Sequence, residues 1–117
     1  MIGPSADVEI QNYNANQGTF DVIVKNVEVP AGVESVRVPV WSEPDQGDLI
    51  WYFADRQSDG TYKVHVDIAN HHNNRSTYNV HVYVMDNNGV QTFVAMTSQQ
   101  VSETKDELTA EIRSGKE

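Results

Sequence analysis

The chain has 117 residues, which is enough for one domain with a single hydrophobic core. It contains no cysteine, which excludes disulfides, thiol catalysis and thiolate metal sites. With 17 acidic residues against 8 Lys and Arg, the formal net charge of −9 disfavours nucleic acid and anionic membrane surfaces as partners.

Apolar and polar residues alternate with a period of two through most of the chain, which predicts strands with one buried and one solvated face. Stretches rich in Gly, Pro, Asn and Asp separate these runs and indicate turns. The predicted strands cover residues 7–13, 19–27, 35–42, 48–56, 61–69, 77–86 and 90–98. Seven short strands at this spacing predict an all-β fold, an immunoglobulin-like antiparallel β-sandwich.

Local details agree with this fold class. Tyr78 begins the sixth strand two residues before Val80, where a tyrosine corner is expected and where valine would fill the place of a cysteine. Trp41 lies at the end of the third strand. In the run DNNG, Asp86 suits the first position of a type I turn and Gly89 the left-handed residue after it.

The two ends of the chain differ from the middle. Residues 1–6 are interpreted as an N-terminal leader or a remnant of expression, and residues 7–101 as the sandwich. The polar segment 102–117 predicts a linker or a short helix, since Thr104 and Glu107 have the spacing of a capping box. No apolar run approaches the ~20 residues of a membrane-spanning helix, so we expect no membrane insertion.

The candidates for general bases or imidazole ligands are four histidines. Alternation points His65 and His81 towards solvent on opposite sheets, and the neighbours His71 and His72 lie in a loop where they cannot easily share one ion. All four are interpreted as solvated polar residues. The sequence has no catalytic fingerprint and no EF-hand spacing. We therefore expect no enzyme activity, no catalytic residue, no cofactor and no metal.

Both tryptophans lie between residues 35 and 56, on the third and fourth predicted strands. A hairpin folded about Gln46 would give favourable cross-strand neighbours. Its predicted pairs are Trp41 with Trp51, Pro39 with Phe53, and Arg37 with Asp55.

That hairpin leaves two alternatives for the tryptophans. If the valines of the third strand face the core, Trp41, Trp51 and Phe53 face outwards, and Tyr83 borders the same sheet. An exposed aromatic patch of this kind usually marks an interaction site. However, Pro39 indicates an edge strand or a bulge, and one bulge would turn Trp41 into the core.

The order of motifs along residues 18–95 resembles that of the Bsp-like repeat family, named after a secreted protein of group B streptococci. The motifs are a Trp-Ser strand end, an Asp-to-Tyr strand, Asp-Gly-x-Tyr, an Asn-His loop and a tyrosine-bounded strand. They stand at Val40-Trp41-Ser42, Asp48–Tyr52, Asp59-Gly60-Thr61-Tyr62, Asn70-His71 and Tyr78–Tyr83. The departures are the second histidine, His72, and Asn-Arg-Ser where a glycine-containing turn is usual.

The resemblance implies an extracellular module of Gram-positive bacteria, secreted or associated with the cell wall. Such modules often occur in tandem or beside cell-wall hydrolase domains, and the family assigns no catalysis to the module itself. The segment has no recognisable signal peptide, so we expect a module taken from a longer protein, with Met1 added for expression.

These observations lead to one functional hypothesis and one alternative. The hypothesis is a non-catalytic module that binds cell-wall polysaccharide or peptidoglycan, or positions a neighbouring hydrolase domain on the wall. Its predicted ligand-binding residues are a stacking platform with two polar flanks: Trp41, Trp51, Phe53 and Tyr83, with Arg37 and Asp55. The alternative is a passive spacer or a protein-binding adhesion module, in which the tryptophans belong to the core.

Overall fold

The computed structural model describes residues 3–103 as two antiparallel sheets packed face to face. Its strands are β1 (Ser5–Asn14), β2 (Thr19–Glu28), β3 (Val33–Trp41), β4 (Ile50–Phe53), β5 (Asp55–Arg56), β6 (Tyr62–Asp67), β7 (Thr77–Asp86) and β8 (Gln91–Gln100). A single 3₁₀ turn, Ile68–Asn70, follows β6. The all-β sandwich predicted from the sequence is confirmed.

One sheet has the strand order β1-β2-β6-β5 and the other β4-β3-β7-β8. Immunoglobulin-type sandwiches place strands A, B, E and D in one sheet and C, F and G in the other. The observed order matches this arrangement, with β4 as an additional edge strand beside β3. Within residues 3–103, no helix is long and apolar enough to cross a bilayer.

The predicted boundaries of the sandwich stand as follows. Strand β1 begins at Ser5, inside the segment 1–6 interpreted as a leader. The last strand ends at Gln100, and Val101 is buried against the core. The predicted linker or helix at 102–117 lies outside the described residues from position 104 onwards.

The core lies between the sheets and is built from alternate residues of β2, β3, β6 and β7. Its fully or nearly fully buried apolar side chains are Phe20, Val22, Val24, Val36, Val38, Val40, Val64, Val66, Ile68, Tyr78, Val80, Val82, Val84 and Val101. Each β-branched side chain fits the pleated surface and is stiff at χ1, which limits the entropy lost when it packs. The valine-rich faces predicted from alternation are therefore the core.

The predicted tyrosine corner and hairpin turn are both present. The hydroxyl of Tyr78 donates to the carbonyl oxygen of Asn74 at 2.6 Å, and its ring packs edge-on against Phe20. Gly89 has a φ of 81°, and its N–H donates to the Asp86 carbonyl at 3.0 Å, which closes the turn between β7 and β8.

The fourth predicted strand, 48–56, was wrong as a single strand. It is divided into β4, which pairs with β3, and β5, which pairs with β6 in the opposite sheet. The chain crosses between the sheets at Ala54, whose N–H still donates to the Val36 carbonyl at 2.9 Å. The inward and outward alternation continues through this crossing, so the sequence pattern does not reveal it.

The predicted register of the hairpin formed by β3 and β4 was wrong by two residues. Trp51 lies opposite Pro39 rather than Trp41, and Phe53 lies opposite Arg37. Because side chains alternate with a period of two, this shift leaves every side chain on the face where it was predicted.

Pro39 does not mark an edge strand or a bulge, since β3 lies between β4 and β7. The pairing with β7 shifts register between Val33 and Ser35, at the start of β3, but it is the same from Ser35 to Arg37 and from Val40 onwards. Proline has no N–H to donate, which accounts for the interruption between those positions. No bulge at Pro39 turns Trp41 into the core.

A buried polar cluster holds the loop between β3 and β4 and explains the register. The carboxylate of Asp48 accepts hydrogen bonds from the N–H groups of Ser42 at 3.0 Å and Glu43 at 2.9 Å. These side-chain bonds replace strand pairing near the loop, so β4 starts only at Ile50. Burial alone would raise the pKa of Asp48, but the hydrogen bonds from Ser42 and Glu43 outweigh it and lower the pKa.

His71 belongs to the same cluster, and its interpretation as a solvated residue was wrong. The side chain is 0% exposed. Its Nδ1 lies 2.8 Å from the Asp48 carbonyl, which can only accept, so Nδ1 carries the proton. Nε2 then accepts from the hydroxyl of Tyr52 at 2.6 Å. Burial lowers the pKa of His71 and raises that of Tyr52 to about 12, so the imidazole is neutral.

Candidate functional site

The outer surface of the β4-β3-β7-β8 sheet carries a group of rings that we call the aromatic face. Its members come from all four strands of the sheet. They are Trp41, Trp51, Phe53, His81, Tyr83 and Phe93. The face lies on the opposite side of the sheet from the core valines, as the alternation predicted.

The rings form a continuous chain of contacts. Trp51 lies 5.2 Å from Tyr83, Tyr83 lies 5.5 Å from Phe93, Phe93 lies 5.3 Å from His81, and His81 lies 4.8 Å from Trp41, measured between centroids. These distances and the tilted or edge-on orientations are those that aromatic pairs prefer. The rings therefore support one another in fixed positions instead of moving independently.

The rings differ in exposure. Trp51 is 47% exposed and Phe53 is 65% exposed, both on the edge strand β4. Trp41 is half-buried under His81 on the outer face, so neither tryptophan is a core residue. Tyr83 is half-buried between its neighbours. The four aromatic residues predicted as a platform, Trp41, Trp51, Phe53 and Tyr83, all lie on this face.

The sequence prediction missed the contribution of β8. The register between β7 and β8 shifts between Val82 and Tyr83, which inserts one extra residue into β8. As a result Phe93 and Met96, three positions apart, are both exposed large apolar side chains. Strict alternation would have grouped Phe93 with Ala95 instead. The spacing of three between two large apolar residues in a strand was the available signal.

Arg37 lies at one end of the face. Its guanidinium carbon is 5.0 Å from the ring centroid of Phe53, a cation–π contact. Nε donates to the Ser35 hydroxyl at 3.2 Å, whereas Nη1 is 3.5 Å from Gln91 Oε1 and Nη2 is 3.8 Å from a Glu34 carboxylate oxygen.

Asp55 is not part of this arrangement, and the predicted pair of Arg37 with Asp55 was wrong. Asp55 lies on β5, opposite Lys63 in the other sheet. The cause is the crossing at Ala54, after which the chain joins the β1-β2-β6-β5 sheet at Asp55.

Two shallow grooves cross the aromatic face on either side of Trp51. The first is lined by Arg37, Trp51, Tyr52, Phe53 and Gln91. The second is lined by Pro39, Trp41, Gln46, Leu49, Trp51, His81 and Tyr83. Trp51 is common to both, so a ligand that crosses it could occupy two grooves at once.

The chain matches the sequence model of the GBS Bsp-like repeat over residues 9–99. It belongs to this family. The resemblance seen in the motifs between residues 18 and 95 is therefore confirmed. Bsp-like repeats are non-catalytic modules of extracellular bacterial proteins. No curated protein matches the chain at a significant level of sequence similarity.

Two solved structures share the fold of this Bsp-like repeat. A polysaccharide deacetylase from Bacillus cereus matches with a TM-score of 0.69 and 8% identity over 83% of this chain. A protein of Bacillus anthracis described as a polysaccharide deacetylase matches with a TM-score of 0.67 and 6% identity over 83% of this chain. This chain spans 30% of the length of each of those chains. At such low identity the likeness shows a common fold alone.

The charges of the repeat are unevenly distributed. Among residues 3–103, those that form the aromatic face or line its two grooves include neither Asp nor Glu, and Arg37 carries the one full charge. The groove on the outer surface of the β1-β2-β6-β5 sheet is different, since Glu9, Lys25, Asp59 and Lys63 line it. In the described part of the chain, the acidic residue that comes nearest to Arg37 is Glu34, 3.8 Å from its guanidinium and outside both groove linings.

The histidines of the repeat do not gather into one site. His65 Nδ1 is 2.7 Å from a carboxylate oxygen of Asp21 on the outer surface of the β1-β2-β6-β5 sheet. His72 Nδ1 is 2.6 Å from a carboxylate oxygen of Glu43 near the loop between β3 and β4. In the part of the chain that the structure describes, no three His, Asp or Glu side chains come together as a metal site would require.

Proposed function

We propose that this repeat binds carbohydrate of the bacterial cell wall, polysaccharide or peptidoglycan, through the aromatic face. In doing so it holds the protein to which it belongs, including any neighbouring hydrolase domain, on the wall. The observation that carries this proposal is the continuous set of rings on one sheet surface, with Trp51 47% and Phe53 65% exposed. A contiguous exposed aromatic patch usually marks an interaction site.

The chemistry of the face suits sugars. A pyranose ring has flat patches of C–H groups, which stack on aromatic rings and release water from both surfaces. Trp51 stands between two grooves, so consecutive sugar units of a chain can stack on either side of one indole. Polar groups at the groove margins, such as Gln91 and Gln46, supply donors and acceptors for hydroxyl groups.

The comparisons support this proposal indirectly. The two proteins that share the fold are both described as polysaccharide deacetylases, and in each the shared domain is a minor part of a longer chain. Both proteins are named for a polysaccharide substrate. A wall-binding module beside an enzyme would have the same organisation.

Co-sedimentation with purified, insoluble Gram-positive peptidoglycan tests the proposal. We expect the wild-type repeat to sediment with the wall material and Trp51→Ala to bind at least about tenfold more weakly, because Trp51 is 47% exposed on the aromatic face and available for stacking. Tyr13→Ala is the matched control, since Tyr13 is 37% exposed on β1 in the other sheet. It should bind like the wild type.

Two results would contradict the proposal. One is a wild-type repeat that stays in solution at every amount of wall material. The other is equal binding by the wild type, Trp51→Ala and Tyr13→Ala. Either result would favour the alternative, a spacer or a protein-binding adhesion module.

A further inference from the structure

The guanidinium of Arg37 is held in a fixed position, and the N–H groups of its two terminal nitrogens can still bind a ligand. Stacking on Phe53 at 5.0 Å and the 3.2 Å hydrogen bond from Nε to Ser35 fix its plane. Within residues 3–103, the partners of the terminal nitrogens are distant, Gln91 at 3.5 Å and Glu34 at 3.8 Å. A preorganised guanidinium edge with two such N–H groups is the geometry that binds a carboxylate in a bidentate manner.

The surroundings of Arg37 are apolar rings on one side and a single exposed carboxylate, that of Glu34, on the other. The chain has a formal net charge of −9, yet none of the described residues that line the two grooves is acidic. Glu34, at the margin of the first groove, is more than half exposed and lies 3.8 Å away, so water screens its pairing with Arg37. The half-buried guanidinium is screened less and lies against apolar rings.

Arg37 and Trp51 are spaced to act on one ligand. Arg37 lies opposite Phe53 and Pro39 opposite Trp51, so the two sites are two residues apart along the strands, roughly 7 Å. Both line the first groove. A sugar ring stacked on Trp51 or Phe53 can therefore place a carboxylate substituent, its own or that of the next unit, at Arg37.

We propose that the ligand of the aromatic face is an acidic glycan, in which a carboxylate borne by the sugar binds Arg37 while the sugar rings stack on Trp51 and Phe53. This inference rests on the proposed carbohydrate-binding function and specifies its ligand. The lactyl group of muramic acid, in its free carboxylate form, has this chemistry.

The test compares two peptide-free oligosaccharides of equal length by NMR titration. One is the neutral N-acetylglucosamine oligomer, and the other alternates N-acetylglucosamine with N-acetylmuramic acid. We expect the wild type to bind the acidic oligomer at least about tenfold more tightly, and this preference to shrink as salt is raised. Arg37→Gln should bind both oligomers alike. Arg56→Gln, which changes an exposed arginine on the other sheet and makes the same change in net charge, should keep the preference.

A third ligand keeps the test independent of how well Arg37→Gln folds. The methyl ester of the muramic acid oligomer removes the charge from the ligand and should bind the wild type like the neutral oligomer. Equal wild-type affinity for the neutral and acidic oligomers, or a preference that persists in Arg37→Gln, overturns the inference while leaving carbohydrate binding intact. Binding of neither oligomer would instead overturn the proposed function and the inference with it.

Discussion

The buried imidazole of His71 makes the stability of the fold depend on pH. Both ring nitrogens are already used, Nδ1 as donor to the Asp48 carbonyl and Nε2 as acceptor from Tyr52. Burial holds the folded pKa below the ordinary value of 6.5 that applies in the unfolded chain. Below pH 6.5 the imidazole therefore becomes protonated in the unfolded chain but stays neutral in the folded chain. As a result, the free energy of unfolding falls as pH decreases.

The size of this effect follows from one proton. The free energy of unfolding changes by at most about 1.4 kcal/mol per pH unit through His71. This change stops where the pH falls to the folded pKa of His71. His72 acts in the opposite direction, because its hydrogen bond with Glu43 raises its pKa. The stability that His72 contributes is complete below 6.5 and is lost as pH rises through its folded pKa. His72→Gln removes this opposing contribution and is the appropriate parent variant.

Urea unfolding of His72→Gln from about pH 7.5 to about pH 5 measures the effect, above the range in which carboxylates titrate. We expect the free energy of unfolding to fall through this range. The double variant that also carries His71→Gln should be less stable at every pH. In this variant the part of the pH dependence that is due to His71 should be absent. Identical slopes in the two variants would refute the assignment of His71 as a buried neutral group.

Two further predictions concern the backbone supports of the fold. Tyr78→Phe should lower the free energy of unfolding by about 1–2 kcal/mol, measured by urea denaturation, because the partly buried carbonyl of Asn74 loses its partner; no change would mean that the tyrosine corner is not a stabilising contact. Gly18→Ala should lower the free energy of unfolding more than Gly60→Ala does, with a difference of about 1–3 kcal/mol between the two variants. Both glycines have positive φ, but only at Gly18 would a Cβ overlap a buried side chain, that of Ile68. Equal thermal stabilities for the two alanine variants would contradict this reasoning.

Much of the fold could be predicted because its signals are local. Alternation identifies the core faces directly, since each residue's face depends only on its neighbours in the same strand. The tyrosine corner and the turn at Asp86–Gly89 depend on residues a few positions apart. For the aromatic residues of β3 and β4 the sequence left two alternatives open, the outer face or the core, and the structure has them on the outer face. The wrong register did not affect this choice, since a shift of two preserves the face.

The parts that could not be predicted depend on contacts between distant segments. The crossing at Ala54 follows from which sheet each strand joins, and alternation carries no such information. The burial of His71 depends on Asp48 and Tyr52, which are 23 and 19 residues away in sequence. The bulge that brings Phe93 to the aromatic face is a property of the pairing of β7 with β8.

The central claim is that the aromatic face binds a cell-wall ligand, and the indole N–H signals of Trp41 and Trp51 test it most directly. Soluble, muramidase-released peptidoglycan fragments would be titrated into the labelled repeat while both signals are followed by NMR. We expect saturable shifts at Trp51 and smaller shifts at half-buried Trp41. The shift at Trp51 should be lost in a folded Phe53→Ala variant, and the shift at Trp41 should be lost in a folded Trp51→Ala variant. Indole signals that do not move at saturating concentrations of fragments, in a protein whose Trp51 is accessible to a soluble quencher, would contradict the central claim.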